Sequence, residues 1–184
     1  MNNLKKLTIL HSNDMHGDFL AEQIDQRLVG SGAIRSYSLG PVVHYADLVE
    51  CLPYDDAVYM LKVTGAQLER MLRHVLRDEA FQGEHTEFYQ FSHGMRIVWS
   101  RSAQTFRTLT LDGEALYADR LYTVAMQKYH YNNLKAFLNI TLEEAEENGR
   151  TRVLSTSARD VVEEYLMVNQ HLNRRVEGRL VVED

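Results

Sequence analysis

The chain has 184 residues, 45% of them hydrophobic and 25% charged, a composition that suits one globular domain with at most a short appendage. Its net charge of −6 argues against a general nucleic-acid binder, which needs a basic face, but leaves room for a small anionic ligand held by one or two arginines. The single cysteine, Cys51, excludes an intrachain disulfide framework, and no stretch approaches the ~20 apolar residues of a membrane span.

In chain order, Met1–Lys6 carries no apolar run of signal-peptide length, so the expectation is a cytoplasmic protein without membrane contact. Residues 4–11 read as a buried strand that runs into Asn13-Asp14-Met15-His16-Gly17. A strand end of this kind delivers a carboxylate and an imidazole to one point, which suits a divalent metal. Residues 12–33 are polar and glycine-bearing and read as a loop or joint. From Ile34 onward the signals are dense. Tyr45–Glu50 is a helical turn stopped by Pro53. Cys51 reads as a buried thiol near that helix end. Ala57–Val63 alternates like a strand. Thr64-Gly65-Ala66-Gln67 is a capping box, and Leu68, Met71, Leu72, Val75 and Leu76 follow as the apolar stripe of a helix.

Met95–Trp99 and Phe106–Leu111 are strand-like, with a tight-turn signal at Asp112-Gly113. Leu121–Met126 is a further strand. Asn133–Asn139 and the acidic Leu142–Glu147 read as helices. Ser157 opens a helix carrying Val161, Val162, Tyr165 and Leu166, and Arg175–Val182 closes the chain as a strand. Strands and helices interleave irregularly with hairpin-like neighbours. The fold class is therefore α/β (α+β), a mixed sheet packed with helices. The histidines from His44 onward, His44, His74, His85, His93, His130 and His171, show no ligand spacing and default to surface or hydrogen-bonded roles. The acidic run Glu143–Glu147 reads as a solvated helix face.

Two stretches resemble one family. Leu7–Gly17 resembles the first metal motif of the 5′-nucleotidase/2′,3′-cyclic-nucleotide phosphodiesterase family. Gly30-Ser31-Gly32-Ala33-Ile34-Arg35 resembles its Asn-Gly-Gly-x-Ile-Arg signature, and Leu52-Pro53-Tyr54 its Leu-Pro-Phe. Leu61–Leu68 is similar to its helix-entry sequence, and Phe88–Gly94 to its Phe-Leu-Gln-Val-Ser-Gly segment. Tyr122-Thr123-Val124-Ala125 and Val176-Glu177-Gly178-Arg179 complete the series. These are six ordered matches to the C-terminal domain over some 150 residues. The resemblance implies residues 1–33 as a remnant strand and loop of a metallophosphoesterase domain and residues 34–184 as the substrate-recognition domain. Only 12 residues separate Gly17 from Gly30, and neither Gly-Asn-His-Glu nor Gly-His-x-His is present, so the sequence reads as an internal deletion.

What the resemblance implies for chemistry follows residue by residue. Asp14 and His16 match ligands of the family's divalent metals (Mn, Zn or similar), but two ligands spaced i, i+2 do not hold a metal tightly, and catalysis is not expected of this chain alone. Tyr54 and Tyr129 stand where the family's two aromatic rings sandwich a base, so the expected partner is a nucleotide or nucleoside. Arg35 matches the arginine that meets the phosphate or ribose side. Gly30 replaces an Asn of the signature. Past Tyr129 the family's glycine pair and ligand-holding Asp are replaced by His130–Lys135. Two alternatives stand beside this reading: an active enzyme completed by a partner or by an oligomer formed through the N-terminal strand, and a non-catalytic interaction domain that has lost its pocket.

Overall fold

The computed structural model describes residues 26–36, 39–82, 89–172 and 176–184. The strand read at 4–11 lies outside these residues. The expected mixed sheet is present and is built around β7 (Leu121–Gln127), whose Tyr122, Val124, Ala125 and Met126 are buried. On one side β7 pairs antiparallel with β2 (Val58–Thr64), in register from Val58↔Gln127 to Thr64↔Leu121. On the other it pairs parallel with β1 (Gln26–Gly30), which in turn takes β3 (Tyr89–Phe91) antiparallel. With β8 (Arg152–Ser155) outside β2, the order is β3-β1-β7-β2-β8.

Strand β1 corrects one expectation. Gln26–Gly30 falls inside the stretch read as loop or joint, yet it lies between two strands of the sheet. The boundary placed at Ile34 therefore cuts behind a strand of this fold. Five residues bounded by Gly30 give too few positions for a period of two to stand out.

A second sheet has the order β6-β5-β4-β9, from β4 (Met95–Ser100), β5 (Thr105–Leu111), β6 (Glu114–Ala115) and β9 (Leu180–Glu183). Asp112 and Gly113 turn β5 into β6 with φ of 53° and 83°. Positive φ at both central residues is the hairpin geometry that an Asp-Gly pair favours. The closing strand is shorter than expected: Val176–Gly178 is not strand, and pairing starts at Leu180 beside Ile97.

Helix α2 (Gly65–Val75) seals the space between the sheets. The nitrogen of Gln67 donates to Thr64 Oγ1 at 3.2 Å, and the nitrogen of Thr64 donates to Gln67 Oε1 at 2.8 Å, which completes the capping box. Gly65 sits against the Tyr117 carbonyl, where a Cβ has no room. All five stripe residues, Leu68 through Leu76, are buried. They join one continuous core with Leu28, Val63, Phe91, Ile97, Trp99, Val124 and Met126, drawn from both sheets.

The helices at the chain's end follow their signals. α4 (Leu134–Leu138) lies on α2, and α5 (Leu142–Glu146) is capped by Thr141. In the acidic run Glu143, Glu146 and Glu147 are exposed, while Glu144 turns to Arg70 at 2.6 Å. α1 (Tyr45–Cys51) and α6 (Ala158–Val168) form a small separate core from Leu48, Cys51 and Leu52 with Ile34, Leu39, Val162 and Leu166. Cys51 is a buried free thiol at the end of α1, and burial pushes its pKa up. No helix among the described residues is long and apolar enough to cross a membrane.

Candidate functional site

Three segments leave the first sheet at the same end. Leu28 lies beside Met126 in the parallel β1–β7 pair, so the chain after Gly30 and the chain after Gln127 emerge together. Val58 lies opposite Gln127 in the antiparallel pair, so the loop before β2 arrives at that end too. Residues 31–35, 53–57 and 128–129 therefore meet past the carboxyl ends of the parallel strands β1 and β7.

Backbone contacts fix the three segments. The nitrogen of Arg35 donates to the Cys51 carbonyl at 2.8 Å, which holds the signature loop against the end of α1. The nitrogen of Lys128 donates to the Ala57 carbonyl at 2.8 Å. The next nitrogen, of Tyr129, donates to Asp56 Oδ2 at 3.2 Å as α3 (Lys128–Asn132) begins. Asp56 thus ties the Tyr129 segment to the turn that carries Tyr54.

The side chains follow. The Arg35 guanidinium lies over the Tyr54 ring, 5.3 Å from its centroid, and its Nη2 reaches the Tyr54 hydroxyl at 3.4 Å. Tyr54 is 55% exposed and Tyr129 48%, so both rings offer surface to solvent. Tyr129 meets the rings of His130 and Phe137 at 5.4 and 5.6 Å. Of the residues singled out from sequence, Arg35 and Tyr54 are thus in contact, and Tyr129 is joined to them through Asp56. Asp14 and His16 lie outside the described residues. Among the described residues no three His, Cys, Asp or Glu side chains converge as a metal ion requires.

His130 is the buried member of the cluster. Its Nδ1 stands 3.0 Å from the Tyr89 hydroxyl, and the Tyr89 ring packs edge-on at 4.9 Å. Burial drives its pKa down to about 4, against a smaller upward pull from the Asp56 carboxylate. The imidazole is neutral at physiological pH and acts here as a packing and hydrogen-bonding group.

Sequence reasoning missed Asp56, Asp55 and Arg159. Asp55 accepts from Ser157 Oγ at 2.7 Å and from the Arg159 nitrogen at 3.1 Å. The signal at one end was visible, because Ser157 is a recognisable helix start. Its partner lies 102 residues earlier in the chain, and nothing local announces it.

The model of the family described as 5′-nucleotidase, C-terminal domain, matches residues 22–140. Among solved structures, a 5′-nucleotidase precursor from Thermus thermophilus superposes with a TM-score of 0.70 at 16% identity, covering 95% of this chain and 35% of its own. The NAD nucleotidase of Haemophilus influenzae gives 0.66 at 13% identity, over 87% of this chain and 30% of its own. The sulfate thiohydrolase SoxB from a Thermus species gives 0.65 at 16%, over 91% and 31%. The chain therefore spans about a third of the length of these structures. No relative is found among curated proteins.

Proposed function

Because the chain belongs to the family of 5′-nucleotidase C-terminal domains, we propose that it binds a nucleotide or nucleoside between Tyr54 and Tyr129, with Arg35 at the charged end. The observation that carries this reading is the meeting of residues 31–35, 53–57 and 128–129 at one end of the sheet. Two half-exposed rings suit stacking on a base, which tolerates any flat face. A guanidinium binds phosphate oxygens in a bidentate way and already sits beside Tyr54. Asp56 contributes a carboxylate at a point where His130–Lys135 supplies none, and it accepts hydroxyl or amino donors of a sugar or base.

The proposed role is recognition without turnover. Its support is the sequence: hydrolysis by a two-metal site needs a bridging carboxylate, several further ligands and an activated water, and the chain lacks the motifs that bring them.

The test is calorimetric titration of the chain with AMP, GMP and adenosine, with and without Mn²⁺, beside a phosphatase assay. AMP and GMP bind alike, and Tyr54→Ala and Tyr129→Ala each weaken binding by roughly ten-fold or more. Arg35→Ala costs AMP more affinity than adenosine. Unchanged binding in both tyrosine variants would sink the site. Steady turnover abolished by Asp14→Ala would sink the non-catalytic role.

A further inference from the structure

The turn Leu52–Asp56 carries the Tyr54 ring, and the first turn of α6 holds four of its five residues. Arg159 Nε and Nη2 donate to the Leu52 carbonyl at 3.2 and 3.0 Å, and Nη2 also donates to the Pro53 carbonyl at 3.2 Å. Its Nη1 lies 3.8 Å from Asp55 Oδ2. The nitrogen of Ala158 donates to the Asp56 carbonyl at 2.9 Å. Tyr54 is the one residue of the five with no hydrogen bond to α6 among the described residues, and its ring projects outward.

Capping of α6 does not account for this guanidinium. The first amides of the helix are served by Ser157 Oγ, which accepts from Asp160 at 2.9 Å, and by Asp55, which accepts from Arg159 at 3.1 Å. The carbonyls of Leu52 and Pro53 belong to the turn, and the Arg159 side chain is only 14% exposed while it serves them. A planar fork holds its N–H groups in fixed directions toward the two carbonyls while facing the carboxylate, a pre-organised geometry that the point-like ammonium of lysine lacks.

We propose that Arg159 is a positioning residue for the ligand site, fixing the Leu52–Asp56 turn so that the Tyr54 ring is ordered before a base arrives. This rests on the reading of Tyr54 as a stacking residue. A turn ordered in advance removes an ordering cost from binding.

The experiment compares Arg159→Lys and Arg159→Gln in the 184-residue chain by AMP titration, by NMR order parameters of the 54–57 amides without ligand, and by melting temperature. The expected result is AMP affinity lowered by roughly five-fold or more, reduced order at Tyr54, and for Arg159→Lys a melting temperature within a few degrees of the parent. The affinity loss should vanish in a Tyr54→Ala background. Unchanged order at Tyr54, or an equal loss with and without the ring, overturns the proposal, since a purely structural role acts on AMP regardless of Tyr54. If Tyr54→Ala weakens AMP while Arg159→Lys does not, the positioning role alone falls. If Tyr54→Ala has no effect, the stacking reading falls and this role falls with it.

Discussion

His130 shows how one buried side chain makes stability depend on pH. Folded, it is neutral down to a pKa of about 4, because burial among Tyr89, Tyr129 and Phe137 disfavours the imidazolium. Unfolded, it takes a proton near its ordinary 6.5. Between those values the unfolded chain binds the extra proton, so stability is full above about 6.5 and falls as pH drops toward 4. The loss is on the order of 3 kcal/mol. Urea unfolding at pH 7 and 5 should show the decline, and His130→Gln should flatten it. Glu144 and Glu177 are also held below the usual carboxylate range, Glu144 by the Thr141 backbone and Arg70, Glu177 by Arg179. Their contributions are lost only below about 4.5, where unfolded carboxylates take up protons, so the higher window belongs to His130. Cys51, buried with a raised pKa, should resist a maleimide in the native chain and react once it is unfolded.

Among the elements, α2 depends most on its ends and its face. Gln67 Oε1 closes the capping box with Thr64 and also accepts from Asn148 Nδ2 at 2.8 Å, so the helix start is fastened to the segment after α5. Thr64→Ala should cost about 1 kcal/mol in denaturant unfolding, the usual value of a lost cap. Leu72→Ala, at 1% exposure on the buried face, should cost about 2–5 kcal/mol through lost burial and the cavity left behind. A cost for Leu72→Ala near that of the cap would show the core collapsing around the missing side chain. α6 is different in kind: only Val161 is buried, Met167 and Val168 are exposed, and its first turn is committed to residues 52–56.

For the whole molecule, the question is what makes two sheets one unit. The core is continuous across them, and Arg179, the residue just before β9 of the second sheet, donates from Nη1 to the carbonyl of Phe91 in β3 of the first at 2.8 Å. Unfolding followed by Trp99 fluorescence, which reports the second sheet, and by far-UV circular dichroism should therefore give coincident transitions. Arg179→Met should lower stability by about 1–3 kcal/mol, since a charged donor to a partly buried carbonyl is removed. Separate transitions for the two sheets in the parent chain would contradict a core continuous across them. The fold itself does not choose a ligand: a sulfate thiohydrolase and an NAD nucleotidase share it at similar TM-scores. A fold shared this widely leaves the choice of ligand to particular side chains.

The sequence by itself determined the local grammar of this protein. Thr64-x-x-Gln67, the stripe from Leu68 to Leu76, Asp112-Gly113 and the Ser157 start are short-range signals, because caps, periodicity and turn dihedrals depend on neighbours within a few residues. The order of the six matched segments likewise carried the family. Only the tertiary structure decided that Gln26–Gly30 is a strand, since its pairing with β3 and β7 is supplied by distant chain. Only the register of β1, β7 and β2 brings Arg35, Tyr54 and Tyr129 to one end of a sheet. The depth of His130 and the grip of Arg159 on Leu52 and Pro53 were equally hidden, because burial and long-range hydrogen bonds are properties of the packed chain, and no local pattern of residues encodes them.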